Sequence, residues 1–154
     1  MRQVTGNIWN FWELPEAAIV IPTNIGWKAN GSNVMGAGLA KDAAKRFPDL
    51  TQRYGALCRL HGLKTPVLFF EDLRLVLFPT KPLNLDAPHM SWQGSSDIRR
   101  VEQSLQELVS LQTVMNRQVY IPLVGCGNGR LRESAVLPLM EKYLQSDSFV
   151  LVRQ

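Results

Sequence analysis

The chain is poor in cysteine and histidine, with two of each among its 154 residues. Cys58, Cys126, His61 and His89 are widely spaced, which is an unsuitable pattern for a zinc site, so we expect no metal. The same low cysteine content favours a reducing, cytoplasmic setting. No cofactor is expected from any other pattern in the sequence.

Long apolar runs and blocks of like charge are also absent. No apolar segment approaches the ~20 residues that span a bilayer, and the first residues do not resemble a secretion signal, so no membrane contact is expected. The 17 basic and 13 acidic residues give a net charge of +4 and are spread along the chain. This bias permits contact with nucleic acid, although a solvated surface with a few spare lysines is the simpler explanation.

The residues that are present predict a single α/β domain over positions 1–154, because 45% of them are hydrophobic and no linker or repeat interrupts the pattern. Apolar runs of strand length occupy residues 2–7, 17–22, 67–70, 73–78, 118–124 and 149–152. Helical spacing predicts helices over 37–47, 49–60, 133–145 and a long one that begins at Ser95 or Ser96. The strands at 67–70 and 73–78 are predicted to form a hairpin, and residues 79–94 are predicted to form a long loop.

Alternation of strands and helices indicates a sheet that is mainly parallel in its centre, with helices on both faces. Ligands of such folds bind beyond the carboxyl ends of the strands. Three segments are expected to converge there: residues 33–40, residues 125–129 and the segment at Lys81.

The segment at residues 33–40 places Gly36 and Gly38 where a strand leads into a helix. A helix start offers unpaired N–H groups and partial positive charge, and glycines let an anion approach the backbone. The spacing matches neither the Walker loop nor the dinucleotide fingerprint. The loop therefore suggests a phosphate-bearing ligand, while tight packing of helix on strand explains the glycines equally well.

The second segment, Gly125-Cys126-Gly127-Asn128-Gly129, has three glycines in five residues, more than a plain turn requires. Cys126 has no histidine placed beside it, which argues against a cysteine hydrolase. Lys81 follows an apolar strand and can meet phosphate or act as an amine nucleophile, although an ordinary surface lysine is as good an explanation. Asn24, at another strand end, can orient a ribose hydroxyl or serve as a turn residue.

Taken together and in order, five segments resemble the macrodomain family of ADP-ribose binders. They are Gly6-Asn7-Ile8, Pro22-Thr23-Asn24, Met35-Gly36-Ala37-Gly38-Leu39-Ala40, Phe78-Pro79-Thr80-Lys81 and Gly125-Cys126-Gly127-Asn128-Gly129. The first glycine loop and the Phe-Pro-Thr-Lys segment match the branch of terminal ADP-ribose protein glycohydrolase and of the antitoxin macrodomains that remove ADP-ribose from DNA. The resemblance implies a three-layer α-β-α fold with a mixed, centrally parallel sheet of six or seven strands.

The resemblance also assigns roles to residues. Lys81 and Asn24 match the lysine and the asparagine that engage the distal ribose. Contacts with the rest of ADP-ribose are implied for Asn7, Ile8, Asn33, Met35, Gly36, Ala37, Gly38, Leu39, Thr80, Gly125, Cys126, Gly127, Asn128, Gly129 and Arg130.

Two positions depart from the family pattern. Asn7 replaces the acid that contacts the adenine amino group, which implies that this carboxylate contact is lost. Gly129 stands where the terminal ADP-ribose glycohydrolase has an aspartate that works with the lysine. Glu133 and Asp86 are the candidates to replace that acid, while Arg130 and Arg132 can contact phosphates or a nucleic acid.

Three functions follow as hypotheses. The first is hydrolysis of an ADP-ribosyl bond on nucleic acid or protein through Lys81 and Asn24. The second is binding of ADP-ribose, or of a related NAD-derived nucleotide, without turnover. The third, a phosphatase acting on a phosphate ester of ADP-ribose, ranks last because the sequence offers no distinct nucleophile for it. The expected partner is ADP-ribose or an ADP-ribosylated macromolecule, nucleic acid included, and the expected state is a monomer.

Overall fold

The alternating pattern is realised in a computed structural model that describes residues Met1 to Gln154. The strands are β1 (Arg2–Thr5), β2 (Ala17–Asn24), β3 (Leu68–Phe70), β4 (Leu75–Lys81), β5 (Gln118–Ile121) and β6 (Phe149–Arg153). The helices are α1 (Ile8–Trp12), α2 (Gly38–Arg46), α3 (Leu50–His61), α4 (Ile98–Met115) and α5 (Glu133–Tyr143). Short 3₁₀ turns occur at Gly62–Lys64, Pro88–Met90 and Gly127–Gly129.

The six strands form one mixed sheet in the order β1-β6-β5-β2-β4-β3. All neighbouring pairs are parallel except β3 and β4, which form the predicted antiparallel hairpin. β2 lies in the middle and is buried along most of its length, as expected for a strand covered on both faces. The prediction of a mixed, centrally parallel sheet is confirmed, with six strands.

Two apolar cores lie on opposite faces of the sheet, because successive side chains of a strand point to opposite sides. Ile19 and Ile21 of β2 belong to one core with Tyr54 of α3. Ala18 and Val20 belong to the other core, which also contains buried residues of α4 and α5. The molecule therefore has the predicted three layers. None of its helices combines the length and the apolar character needed to cross a bilayer.

Three boundaries differ from the sequence prediction. Helix α1 was not predicted, since five residues are too few to show a helical period. Strand β4 continues through Lys81 because the Ser104 hydroxyl donates to the Pro79 carbonyl, at 2.7 Å, and β2 pairs alongside. The cap of α4 is Asp97, whose Oδ1 accepts from the Arg99 N–H at 2.8 Å, and neither Ser95 nor Ser96 takes that role.

The segment between β2 and α2 is fixed against helix α3. Gly55, in the middle of α3, lies so close to this segment that a Cβ atom there would overlap the Gly31 carbonyl oxygen. The segment is also hydrogen-bonded to the helix, because the Asn33 N–H donates to the Thr51 carbonyl at 2.9 Å. The segment and the helix therefore form one packed unit.

Candidate active site

Asn24 and Lys81 lie side by side at the carboxyl end of the sheet. β2 and β4 are parallel neighbours, and their register pairs Asn24 with Lys81 after an irregularity at Thr23 and Asn24. The carboxyl ends of parallel strands are where α/β folds bind ligands. The two residues that the sequence singled out for catalysis are therefore brought together.

The Asn24 side chain holds the start of the following loop. Its Nδ2 donates to the Val34 carbonyl at 2.8 Å, and its Oδ1 accepts from the Gly26 N–H at 3.0 Å. The Asn33 amide adds bonds to the Asn24 carbonyl at 3.0 Å and to the Gly26 carbonyl at 2.8 Å. Asn33 is fully buried, so it lies beneath the surface and holds the loop that follows Asn24.

Lys81 is half-buried, and its Nζ donates to the Trp92 carbonyl at 2.7 Å. Burial lowers the pKa of Lys81 below its ordinary value, and the nearby Arg130 guanidinium lowers it further. Both effects disfavour the charged ammonium. The Lys81 side chain therefore has the environment of an amine that is more readily deprotonated than a surface lysine.

The first glycine loop presents backbone to the cleft. A Cβ at Gly36 would meet nothing within 4 Å, and Gly38 has a φ of +58° at the start of α2. Ala37, the residue before α2, has no side chain able to cap it, so the first N–H groups of that helix are unpaired within the helix. The loop thus presents unpaired N–H donors, and their binding of an anion stays a prediction.

The second glycine loop faces the first. Gly125 and Gly127 have φ values of +76° and +66°, and the place of a Cβ at Gly127 is open space. A Cβ at Gly38 would lie 3.2 Å from the Asn128 Nδ2, so the two loops nearly touch at that point. The cleft between them can hold a group in contact with backbone N–H donors from both sides.

Gly129 is packed away from the cleft, against Ser96. A Cβ at Gly129 would overlap the Ser96 Oγ, and the Ser96 N–H donates to the Gly129 carbonyl at 2.8 Å. The Ser96 hydroxyl is buried and has no hydrogen-bond partner. Position 129 therefore has no room for the aspartate of the related pattern while Ser96 is in place.

Two adjoining hollows lie beside the glycine loops, and Lys81 lines neither of them. They have volumes of about 320 and 410 Å³. Gly6, Ile8, Leu39 and Gln154 line both of them. Asn7, Trp9 and Asp42 complete the first, and Pro122, Leu123, Cys126, Gly127, Val152 and Arg153 complete the second.

The predicted site residues fall into three groups. Asn7, Ile8, Leu39, Cys126 and Gly127 line the hollows. Exposed positions of the two glycine loops are Gly36, Ala37, Gly38, Asn128 and Arg130. Buried positions are Asn33, Met35, Thr80, Gly125 and Gly129, and among them Thr80 donates to the Thr23 carbonyl at 3.3 Å.

Sequence reasoning missed several residues of the hollows, chiefly Trp9, Asp42 and Gln154. Gln154 reaches them because β6 is the parallel neighbour of β1, which brings the end of the chain beside Gly6. Asp42 follows Leu39 by three residues on α2, so both face the same side of the helix. That spacing was the one signal in the sequence that could have found Asp42.

The candidate replacement acids are engaged elsewhere. Glu133 forms an ion pair with Arg153 at 2.5 Å, and Asp86 is an exposed residue of the loop after β4. Burial, together with the charge of Glu133, raises the pKa of the Cys126 thiol, which makes it a poor nucleophile. No group of three or more His, Cys, Asp or Glu side chains is arranged to hold a metal ion.

Comparisons with known proteins identify the fold. No family model matches the chain. It is 28% identical to the DNA ADP-ribosyl glycohydrolase of Thermus aquaticus over 147 residues, which cover 95% of this chain and 38% of that protein. The macrodomain of Thermus aquaticus DarG has a TM-score of 0.74 and 28% identity, covering 99% of this chain and 97% of that one. Thermosipho africanus DarTG in complex with ADP-ribose has a TM-score of 0.76 and 23% identity, covering 100% and 42%.

The sheet order and the three layers are those of the macrodomain fold, which the chain shares with these structures. Among macrodomains it is similar to those of DarG, as the sequence motifs indicated. The chain spans only 38% and 34% of the length of the two curated relatives that it matches.

Proposed function

We propose that this macrodomain binds ADP-ribose and hydrolyses the bond that joins ADP-ribose to a nucleic acid. The observation that carries the proposal is the pairing of Lys81, an amine with a lowered pKa, with Asn24 at the carboxyl end of the sheet. Similarity to DNA ADP-ribosyl glycohydrolases supports a DNA substrate over a protein substrate. The exposed Arg130 and Arg132 are suited to the phosphates of such a substrate.

The proposed chemistry uses the Lys81 amine as nucleophile. Its Nζ attacks the anomeric carbon of the distal ribose, the bond to the acceptor atom breaks, and the acceptor leaves with the bonding electrons and the amine proton. The ribose ring opens as an imine forms on Lys81. Water then adds to the imine, which releases ADP-ribose and returns the free amine. Asn24 orients the ribose during both steps through the Nδ2 hydrogen that does not bond the Val34 carbonyl.

The test is release of ADP-ribose from an ADP-ribosylated oligonucleotide and from an ADP-ribosylated protein. We expect the oligonucleotide to be cleaved, and Lys81→Ala to lose about 100-fold or more in rate because the nucleophile is removed. Lys45→Ala is the matched control, since Lys45 is an exposed lysine in the last turn of α2 and should retain the rate. Equal rates for both variants would sink the assignment of Lys81.

A binder without turnover is the second candidate, and one observation favours it. No carboxylate pairs with Lys81, and Gly129 is closed off by Ser96. If calorimetry detects ADP-ribose binding but neither substrate releases ADP-ribose, this second function is correct. Absence of any ADP-ribose binding would contradict both candidates.

We further infer that the domain acts as a monomer in the cytoplasm. Its two cysteines are both free thiols, which suits a reducing compartment. Light scattering should give the mass of one chain, and a mass of two chains would contradict the monomer.

A further inference from the structure

Arg130 holds an unusual backbone conformation for its residue type. Its φ of +64° and ψ of 11° lie in the left-handed region, where a residue with a side chain is strained and glycine is not. Strained residues of this kind cluster at functional sites. A glycine here would relieve the backbone strain, which makes the contacts of the arginine side chain relevant.

The side chain of Arg130 runs towards the loop after β4. Its Nη2 donates to the Gln93 carbonyl at 3.1 Å, next to the Trp92 carbonyl that accepts from Lys81 Nζ at 2.7 Å. Two successive carbonyls therefore hold two cations. Neither cation forms an ion pair with a carboxylate.

The loop that supplies these carbonyls is itself fixed in place. The Ser91 Oγ donates to the Pro88 carbonyl at 2.8 Å and accepts from the Asn84 N–H at 3.0 Å. A Cβ at Gly26 would overlap the Pro88 carbonyl oxygen, so the loop is packed directly on the residues that follow β2. Both cations are thus anchored to a rigid support.

Other charged groups around Lys81 do not offset Arg130. The segments around Lys81 carry these charged or titratable residues: Lys28, Asp86, His89, Asp97, Arg99, Arg100, Arg132 and Glu133. Among the acids, Asp97 caps α4 and Glu133 pairs with Arg153. Arg100 is neutralised by Glu107 at 2.7 Å. Arg130 is the one charged group that lowers the pKa of Lys81, after burial.

We propose that Arg130 is a positioning residue that keeps a second positive charge against Lys81 and so favours the uncharged, nucleophilic form of its amine. The physical reason is that a like charge held on the next carbonyl along the chain penalises the ammonium and leaves the free amine unaffected. The inference rests on the proposed role of Lys81 as nucleophile. It explains why a strained arginine occupies a position that suits glycine.

The direct test measures the Lys81 amine without turnover. Acetic anhydride acetylates a lysine only in its uncharged amine form, so the acetylation rate of Lys81, followed by mass spectrometry across neutral and alkaline pH, gives its titration midpoint. We expect Arg130→Gly, which relieves the backbone, to fold and to move the midpoint to higher pH. Arg130→Lys keeps the charge and should leave the midpoint near that of the wild type. Arg132→Ala removes the same charge two residues away and should not move it.

The pH dependence of ADP-ribose release is the second readout. The ascending limb of the Arg130→Gly profile should move with the acetylation midpoint, so the rate below that limb falls about tenfold for each pH unit of the move. An unmoved acetylation midpoint in Arg130→Gly overturns the inference. Weaker substrate binding with an unchanged profile also overturns it, and shows a phosphate contact instead. If the wild type releases nothing, the proposed function fails, and acetylation alone decides whether Arg130 acts on Lys81.

Discussion

The candidate site has two regions: a binding end, formed by the two hollows and the glycine loops, and a candidate catalytic end, formed by Lys81 and Arg130. The hollows of the binding end are lined by backbone and apolar groups of Gly6, Ile8 and Leu39, with few charged side chains. The other end depends on Lys81 and Arg130, each fixed by a single main-chain carbonyl. Affinity should therefore depend on shape at the first end, and turnover on a few placed charges at the second.

The largest effect expected at the binding end comes from Gly38→Val. Valine is strained at a φ of +58°, and its side chain meets Asn128 where the two glycine loops approach. We expect ADP-ribose affinity to fall about 100-fold, or about 2.7 kcal/mol, by calorimetry. Gly62→Val is the matched control, since Gly62 has a φ of +60° in open space at the end of α3. If both variants bind ADP-ribose as the wild type does, the loop does not hold the ligand.

Asn33→Ala tests how the loop after Asn24 is held in place beside the candidate catalytic end. The change removes the buried amide that donates to the Asn24 and Gly26 carbonyls. Unpaired buried carbonyls should lower the free energy of unfolding by about 2 kcal/mol, which corresponds to a melting temperature lower by about 4–8 °C. Turnover should fall more than ADP-ribose affinity, because Asn24 loses its fixed position.

Asn30→Ala is the control for that variant. Asn30 is exposed and accepts only from the Ser32 N–H within the same loop, at 3.0 Å. Its removal should cost less than about 1 kcal/mol. Equal melting temperatures for Asn33→Ala and Asn30→Ala would show that the buried amide does not stabilise the loop.

A smaller effect is expected for Asp42→Ala in the first hollow. Asn7 already uses its Oδ1 to accept from the Trp9 N–H at 3.0 Å, which leaves Asp42 as the carboxylate that lines this hollow. We expect the adenine amino group to donate to Asp42, so Asp42→Ala should weaken ADP-ribose binding about fivefold in calorimetry. Asp49→Ala, an exposed acid before α3, should bind like the wild type. Unchanged affinity in Asp42→Ala would mean that this acid does not contact the ligand.

The smallest effect is expected far from both ends, at the exposed pair of Arg53 and Asp72, 2.8 Å apart. The hydrogen bond from Arg53 lowers the pKa of Asp72. The stability from this pair is therefore present above the ordinary carboxyl pKa and is lost as the pH falls through the lowered value. Asp72→Asn should cost a few tenths of a kcal/mol (~0.3) in urea unfolding at neutral pH. If the stability difference between Asp72→Asn and the wild type persists in strong acid, the ion pair is not its cause.

The fold could be predicted from local patterns because most elements show their period within a few residues. β2 is an unbroken apolar run, and α4 keeps helical spacing over several turns. The end of β4 could not be predicted, because Pro79 normally breaks a strand. It stays in the sheet through a contact from Ser104, which is 25 residues distant along the chain.

The proximity of Asn24 and Lys81, the candidate catalytic pair, was predicted from two strand ends, and the parallel register brings them together. The full lining of the hollows was not predicted. Gln154 joins Asp42 in the first hollow only because β6 pairs with β1, and the local sequence does not show that pairing. The link between Arg130 and Lys81 was also missed, because it depends on two carbonyls of a loop that has no period in the sequence.

Gly55 has a consequence for how a ligand is received. Because its bare Cα face lets the Gly31 carbonyl rest on helix α3, the loop that begins at Asn24 cannot swing outward without displacing that helix. We therefore expect this loop to keep its position when a ligand binds, with little ordering of the chain on binding. Stopped-flow traces of ADP-ribose binding should be single exponentials whose rate rises linearly with concentration, without the plateau that marks a slow closing step.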